Sequence, residues 1–235
     1  MNRISLNMLL MKLFQGYEWF GIVFHRSSQR KTKKFVYGLV REGSRAKDYE
    51  TAIMWLSDCG LIHKISRVNS ACIPLKAYED LKAFKLFSLD VGLLGCQTGL
   101  HQRTLLDGDS LFVEFKGALT EQYVCQQLKT IKDLGVYYYT NARGTCEIDF
   151  VVDTGEQVIP VEVKAETNLR AKSLKSYKER FEPELSIRTS MSDYKKEDWL
   201  INVPLYMLAE YFKKHGACKL GYRRNRLSFG GLFFI

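Results

Sequence analysis

The chain has 235 residues, of which 46% are hydrophobic and 26% charged, and it carries a formal net charge of +9. That length accommodates one domain with an appended piece or two modest domains, and the composition excludes a disordered or fibrous chain. The excess of Lys and Arg favours an anionic partner such as DNA, because clustered basic groups release counterions from a phosphate backbone; a basic soluble protein with no nucleic-acid role shares the same balance.

The six cysteines, Cys59, Cys72, Cys96, Cys125, Cys146 and Cys218, form no CxxC pair and no regular spacing, so they imply reduced thiols rather than a zinc site or a disulfide framework. The apolar stretch from Met8 to Phe24 is interrupted by Lys12 and Glu18 and is followed by no small-residue cleavage site. A cytoplasmic protein without a membrane span is expected.

Residues 1–32 pass from a Met- and aromatic-rich opening into the basic run HRSSQRKTKK and show no clean period. Apolar residues then recur at helical spacing from Phe35 to Val40 and from Tyr49 to Leu56, the second run stopping at Cys59 and Gly60. LIHKISRV reads as a strand closed by a turn at Asn69 and Ser70. Two helices, a strand and a turn give a winged-helix-like order, with Arg41, Arg45 and Lys47 available for phosphates; packing beside a neighbouring domain is the simpler use of such a piece. The stretch from Leu75 begins helically, through Leu75, Tyr78 and Leu81, and becomes an apolar connector from Leu86 to Leu94. The main boundary is placed near Asp107, within turn-forming residues that lack a period.

Beyond it the signals sharpen. Phe112, Phe115, Leu119, Tyr123, Leu128 and Ile131 describe a long helix ended near Gly135. Three strands follow, VYYYT, CEIDFVV and QVIPVEVK, separated by Gly-containing turns. A helix is expected from about Arg170 to Phe181, then a strand in ELSIRTSM, then a helix in VPLYMLAEYFKK with Pro204 in its first turn. Residues 215–235 are punctuated by Gly and Arg and end in LFFI, with no functional reading.

Period-two alternation puts Ile148, Phe150 and Val152 on one face of their strand and Glu147 and Asp149 on the other. In the next strand Ile159, Val161 and Val163 oppose Glu162 and Lys164. A hairpin between the two strands brings Asp149, Glu162 and Lys164 to one face. Two close carboxylates repel, and a divalent cation such as Mg²⁺ relieves that repulsion while taking water and phosphate oxygens as its other ligands. Glu121, on the preceding helix beside the small residues Gly117 and Ala118, is a further ligand candidate. Taken singly, each of these residues is better accounted for by alternating charge on a half-solvated strand, the usual case. The four histidines stand near no matching Cys or Ser, which leaves a histidine-based hydrolase without support.

Glu121 on a helix, GTCEID ending at Asp149, and PVEVK carrying Glu162 and Lys164 together resemble the PD-(D/E)XK nuclease-like superfamily. More narrowly, FKGALTEQYV, GTCEIDFVV, IPVEVKAETNLRAKSLKSYKE, IRTSMSDY and WLINVPLY are similar to the uncharacterised domain that follows the ATPase core in bacterial and archaeal AAA+-type proteins. The resemblance covers about residues 33–212. It implies an α/β fold with a mixed central sheet flanked by helices over residues 108–214, preceded by the winged-helix-like segment and connector at 33–107.

It also implies a site of Glu121, Asp149, Glu162 and Lys164. Glu121, Asp149 and Glu162 would be Mg²⁺ ligands, and Lys164 the group that steadies developing charge or positions water. The implied activity is hydrolysis of DNA phosphodiesters; the alternatives are a module that binds DNA or a partner subunit without turnover, or the remnant of a truncated ATPase. The chain contains no GxxxxGK[ST] phosphate loop, so no ATP site is expected within it. Arg170, Lys172, Lys175 and Lys178 follow the site and could contact a phosphate backbone or form a solvated helix face.

Overall fold

A computed structural model of the chain describes residues 46–97, 110–141, 143–165 and 171–215. One mixed sheet of eight strands runs through it in the order β2-β1-β3-β4-β5-β6-β8-β7. The strands are β1 (Ile62–Val68), β2 (Glu79–Ser88), β3 (Gly135–Thr140), β4 (Glu147–Asp153), β5 (Val158–Val163), β6 (Ile187–Ser190), β7 (Lys195–Lys196) and β8 (Ile201–Pro204). The helices among the described residues are α1 (Ala46–Asp58), α2 (Val91–Gln97), α3 (Ser110–Lys129), α4 (Lys172–Phe181) and α5 (Leu208–His215). The architecture is α/β, in agreement with the sequence reading.

Two hydrophobic layers hold the sheet. On one face Val124, Cys125 and Leu128 of α3 and Leu208 and Phe212 of α5 pack with Phe150, Val152, Val161 and Ile187. On the other, Leu174 and Tyr177 of α4 meet Ile148, Val151, Tyr139 and Leu200, while Ile53 and Leu56 of α1 cover Ile62, Phe84 and Leu86. Burying one such side chain contributes about 1.5–3 kcal/mol. These layers therefore supply the main cohesion of the fold.

Side-chain amides of α3 lock the helix to both ends of the sheet. Gln122 accepts the Ser88 N–H at 2.9 Å and donates to the Ser88 carbonyl at 2.7 Å, both buried. One turn on, Gln127 donates to the Leu205 carbonyl at 2.6 Å and accepts the Ala209 N–H at 2.9 Å, so it also caps the start of α5. Backbone groups left over at element ends must find partners, and these two glutamines provide them.

Several local expectations change in the folded chain. The helical spacing of Leu75, Tyr78 and Leu81 becomes a short 3-10 turn at Leu75–Tyr78 followed by strand β2. Tertiary pairing decides it: β2 pairs antiparallel with β1, and Asp153 accepts the Leu75 N–H at 2.9 Å. The segment read as a connector from Leu86 to Leu94 is the end of β2 and the start of α2, which Asp90 caps by accepting the Leu93 N–H at 2.7 Å. Pro204 closes β8 rather than opening a helix, and a 3-10 turn at Leu205–Met207 precedes α5. Its missing N–H suits a strand end as well as a first helical turn.

Strand β1 pairs parallel with β3, so residues on either side of the boundary expected near Asp107 share one sheet. The helix expected from Phe35 to Val40, together with residues 1–32, Arg41, Arg45 and Arg170, lies outside the described residues. Among those that are described, no helix is long and apolar enough to cross a membrane, and five cysteines are free.

Candidate active site

The site forms where β4 and β5 part. Their antiparallel pairing runs from Asp153 opposite Val158 to Phe150 opposite Val161 and stops there. One step further along the same register Asp149 faces Glu162. The carboxylate of Asp149 takes the place of a strand partner by accepting the Val163 N–H at 2.9 Å. An acid at this position satisfies a backbone donor that the parting strands no longer use.

A bulge fixes the orientation of the neighbouring residues. Tyr137 pairs with Val151 but Tyr139 pairs with Ile148, so β4 has one extra residue there. Strict alternation would put Ile148 with Phe150 and Val152. Instead Ile148 joins Val151 on the α4 face, while Phe150 and Val152 pack on the α3 face. The expected common charged edge of Glu147 and Asp149 is thereby broken.

Glu162 and Lys164 do come together. The Lys164 Nζ lies 2.6 Å from Glu162 Oε1, with the Glu162 side chain 7% exposed and that of Lys164 30%. The other oxygen, Oε2, is buried and makes no hydrogen bond within the protein. Burial pushes the Glu162 carboxyl above its ordinary range, with Asp149 adding repulsion. Lys164 and the Leu174 N–H, in the first turn of α4, act in the opposite direction.

Glu121 goes to a second cluster that sequence reasoning missed. It is buried on α3, with its Oε2 4.0 Å from the Nζ of Lys85; the same ammonium is 2.6 Å from Glu147 Oε1. Lys85 also lies over the ring of Tyr138, 4.9 Å from its centroid. The signal was present in AFKLF: Ala83, Phe84, Leu86 and Phe87 are all buried, so a lysine among them requires an acidic partner. Nearby Cys125 is pushed far up by burial, which removes it as a nucleophile near neutral pH.

Thus Asp149, Glu162 and Lys164 share one opening, and Glu121 stands with Lys85 and Glu147. Among the described residues no three His, Cys, Asp or Glu side chains are grouped to hold a metal ion. Asp149 and Glu162 alone still suit Mg²⁺, which commonly takes one or two carboxylates and completes its shell with water and phosphate. The unbonded Glu162 Oε2 is the donor atom that such an ion would use.

Downstream, Lys172 and Lys175 are exposed on α4, whereas Lys178 lies over Trp199, 5.2 Å from the ring centroid. The latter is therefore committed to packing as well as to solvent.

Residues 116–208 match the family model described as Domain of unknown function (DUF4143), a family often found C-terminal to AAA ATPases. Residues 18–104 match the model described as Domain of unknown function (DUF8612). No curated protein and no solved structure matches the chain.

Proposed function

We propose that the chain is the nuclease-like part of an AAA+-type system, with a PD-(D/E)XK-like site in which Asp149, Glu162 and Lys164 act on DNA phosphodiesters with Mg²⁺. The observation that carries this reading is the buried, unbonded Glu162 Oε2 beside Lys164 and opposite Asp149. Asp149 and Glu162 would hold the ion, which supplies charge to polarise a phosphate and acidify a bound water. Lys164, partly exposed and paired with Glu162, would steady the charge that develops on the phosphate oxygens. Exposed Lys172 and Lys175 would bind the flanking backbone.

A second reading is a DNA- or partner-binding module without turnover. It is favoured by Lys85, which already neutralises Glu121 and Glu147. Incubation of the purified chain with linear, nicked and branched DNA in Mg²⁺, Mn²⁺ or EDTA tests both. Hydrolysis is expected to need the metal and to fall by about a hundredfold or more in Lys164→Ala and Asp149→Ala. Binding without cleavage in every metal would leave the second reading.

A further inference from the structure

We infer that Lys85 is a built-in counter-ion of the site: its ammonium serves Glu121 and Glu147 as a metal ion otherwise would, and so withdraws Glu121 from metal binding. For the Asp149 and Glu162 arm this rests on the reading under Proposed function; the Lys85 arm stands on geometry alone. Two carboxylates converge on one nitrogen, at 2.6 Å from Glu147 and 4.0 Å from Glu121. The lysine side chain is 4% exposed, that of Glu121 9% and that of Glu147 24%, so water contributes little to balancing Lys85 and Glu121 and reaches the pair through Glu147. The ring of Tyr138 closes the cation from another side. A buried carboxylate such as Glu121 must be matched by a cation or lose its charge, and this fold supplies that cation from its own chain.

Two consequences follow. A divalent ion at the proposed site would be held by Asp149 and Glu162 without Glu121. In addition, the site is assembled from both matched regions, because Lys85 falls within residues 18–104 and both glutamates within residues 116–208. Strand β2 delivers Lys85 to the α3 face by alternation, Phe84 and Leu86 turning the other way to pack under α1.

Mn²⁺ titration of the full chain, followed by calorimetry and by the relaxation of water protons, tests the inference without any assay of cleavage. Glu121→Gln should leave wild-type Mn²⁺ binding unchanged, whereas Asp149→Asn should weaken it by about tenfold or more. Lys85→Met should gain one bound Mn²⁺, and adding Glu147→Gln to that variant should abolish the gain. If Lys85→Met folds only when Mn²⁺ is supplied, the ion has replaced the ammonium and the inference stands. It is overturned if Lys85→Met gains no ion, if it folds neither with nor without Mn²⁺, or if Glu121→Gln weakens wild-type binding as Asp149→Asn does. A wild-type chain that binds no Mn²⁺ would remove the Asp149 and Glu162 reading while leaving the Lys85→Met gain to decide this one.

Discussion

The two sides of the β4 and β5 opening carry the same kinds of residue and use them differently. On the α3 side, the Lys85 and Glu121 side chains are 4% and 9% exposed and that of Glu147 24%. On the other, Lys164 is 30% exposed and one oxygen of Glu162 has no hydrogen bond within the protein. Lys85 is closed off with its carboxylates, whereas Glu162 stands beside a lysine that reaches solvent and keeps capacity for a ligand. Chemical type is shared; enclosure separates structure from chemistry.

That contrast can be broken by mutation. The largest effect is expected for Lys85→Ala, which leaves the buried Glu121 and the half-buried Glu147 without their cation and should cost about 3–5 kcal/mol in denaturant unfolding. Lys164→Ala should cost far less by the same measurement, about 1 kcal/mol or under, since its side chain reaches solvent. Equal losses at the two lysines would erase the distinction.

Gln122→Ala comes next. It strands the Ser88 N–H and carbonyl, both buried partners of that amide, and should lower stability by about 1–3 kcal/mol. Hydrogen exchange should then show faster opening at the end of β2, the strand that carries Lys85.

A smaller, pH-dependent effect is expected at Glu162. Its folded carboxyl holds a proton more tightly than the unfolded one, so its contribution to stability is full below the ordinary carboxylate range and is lost as pH rises through the raised value. Glu162→Gln cannot ionise. The difference in melting temperature, variant minus wild type, should therefore rise with pH across that window, and a flat difference would show that the carboxyl is not perturbed. The smallest effect is expected for Lys178→Met, about 0.5–1 kcal/mol from loss of the contact with Trp199, measured by thermal melting.

Much of the α/β core was legible because its strands are short, β-branched or aromatic, and bounded by turns. VYYYT, CEIDFVV and QVIPVEVK fall on β3, β4 and β5, and the long run of recurring apolar residues falls on α3. Less could be read where pairing overrides local spacing. Leu81 fits a helical period with Leu75 and Tyr78, yet β1 recruits it into β2. WLINVP holds the buried strand β8, whose residues are recognisable only once β6 offers them a parallel partner.

The candidate site divides in the same way. Sequence by itself determined the adjacency of Glu162 and Lys164, since residues two apart on a strand share a face whatever surrounds them. It also determined that an acid at position 149 would stand near them, because the short turn after β4 folds that strand back onto β5. Only the tertiary structure decided that Glu121 and Glu147 would both meet Lys85. The bulge after Ile148 shifts the alternation by one residue, and Lys85 arrives from a strand, 36 residues before Glu121 in the chain. Neither a local irregularity of register nor a long-range ion pair has a periodic signature; both arise from the packing of segments that are distant along the chain.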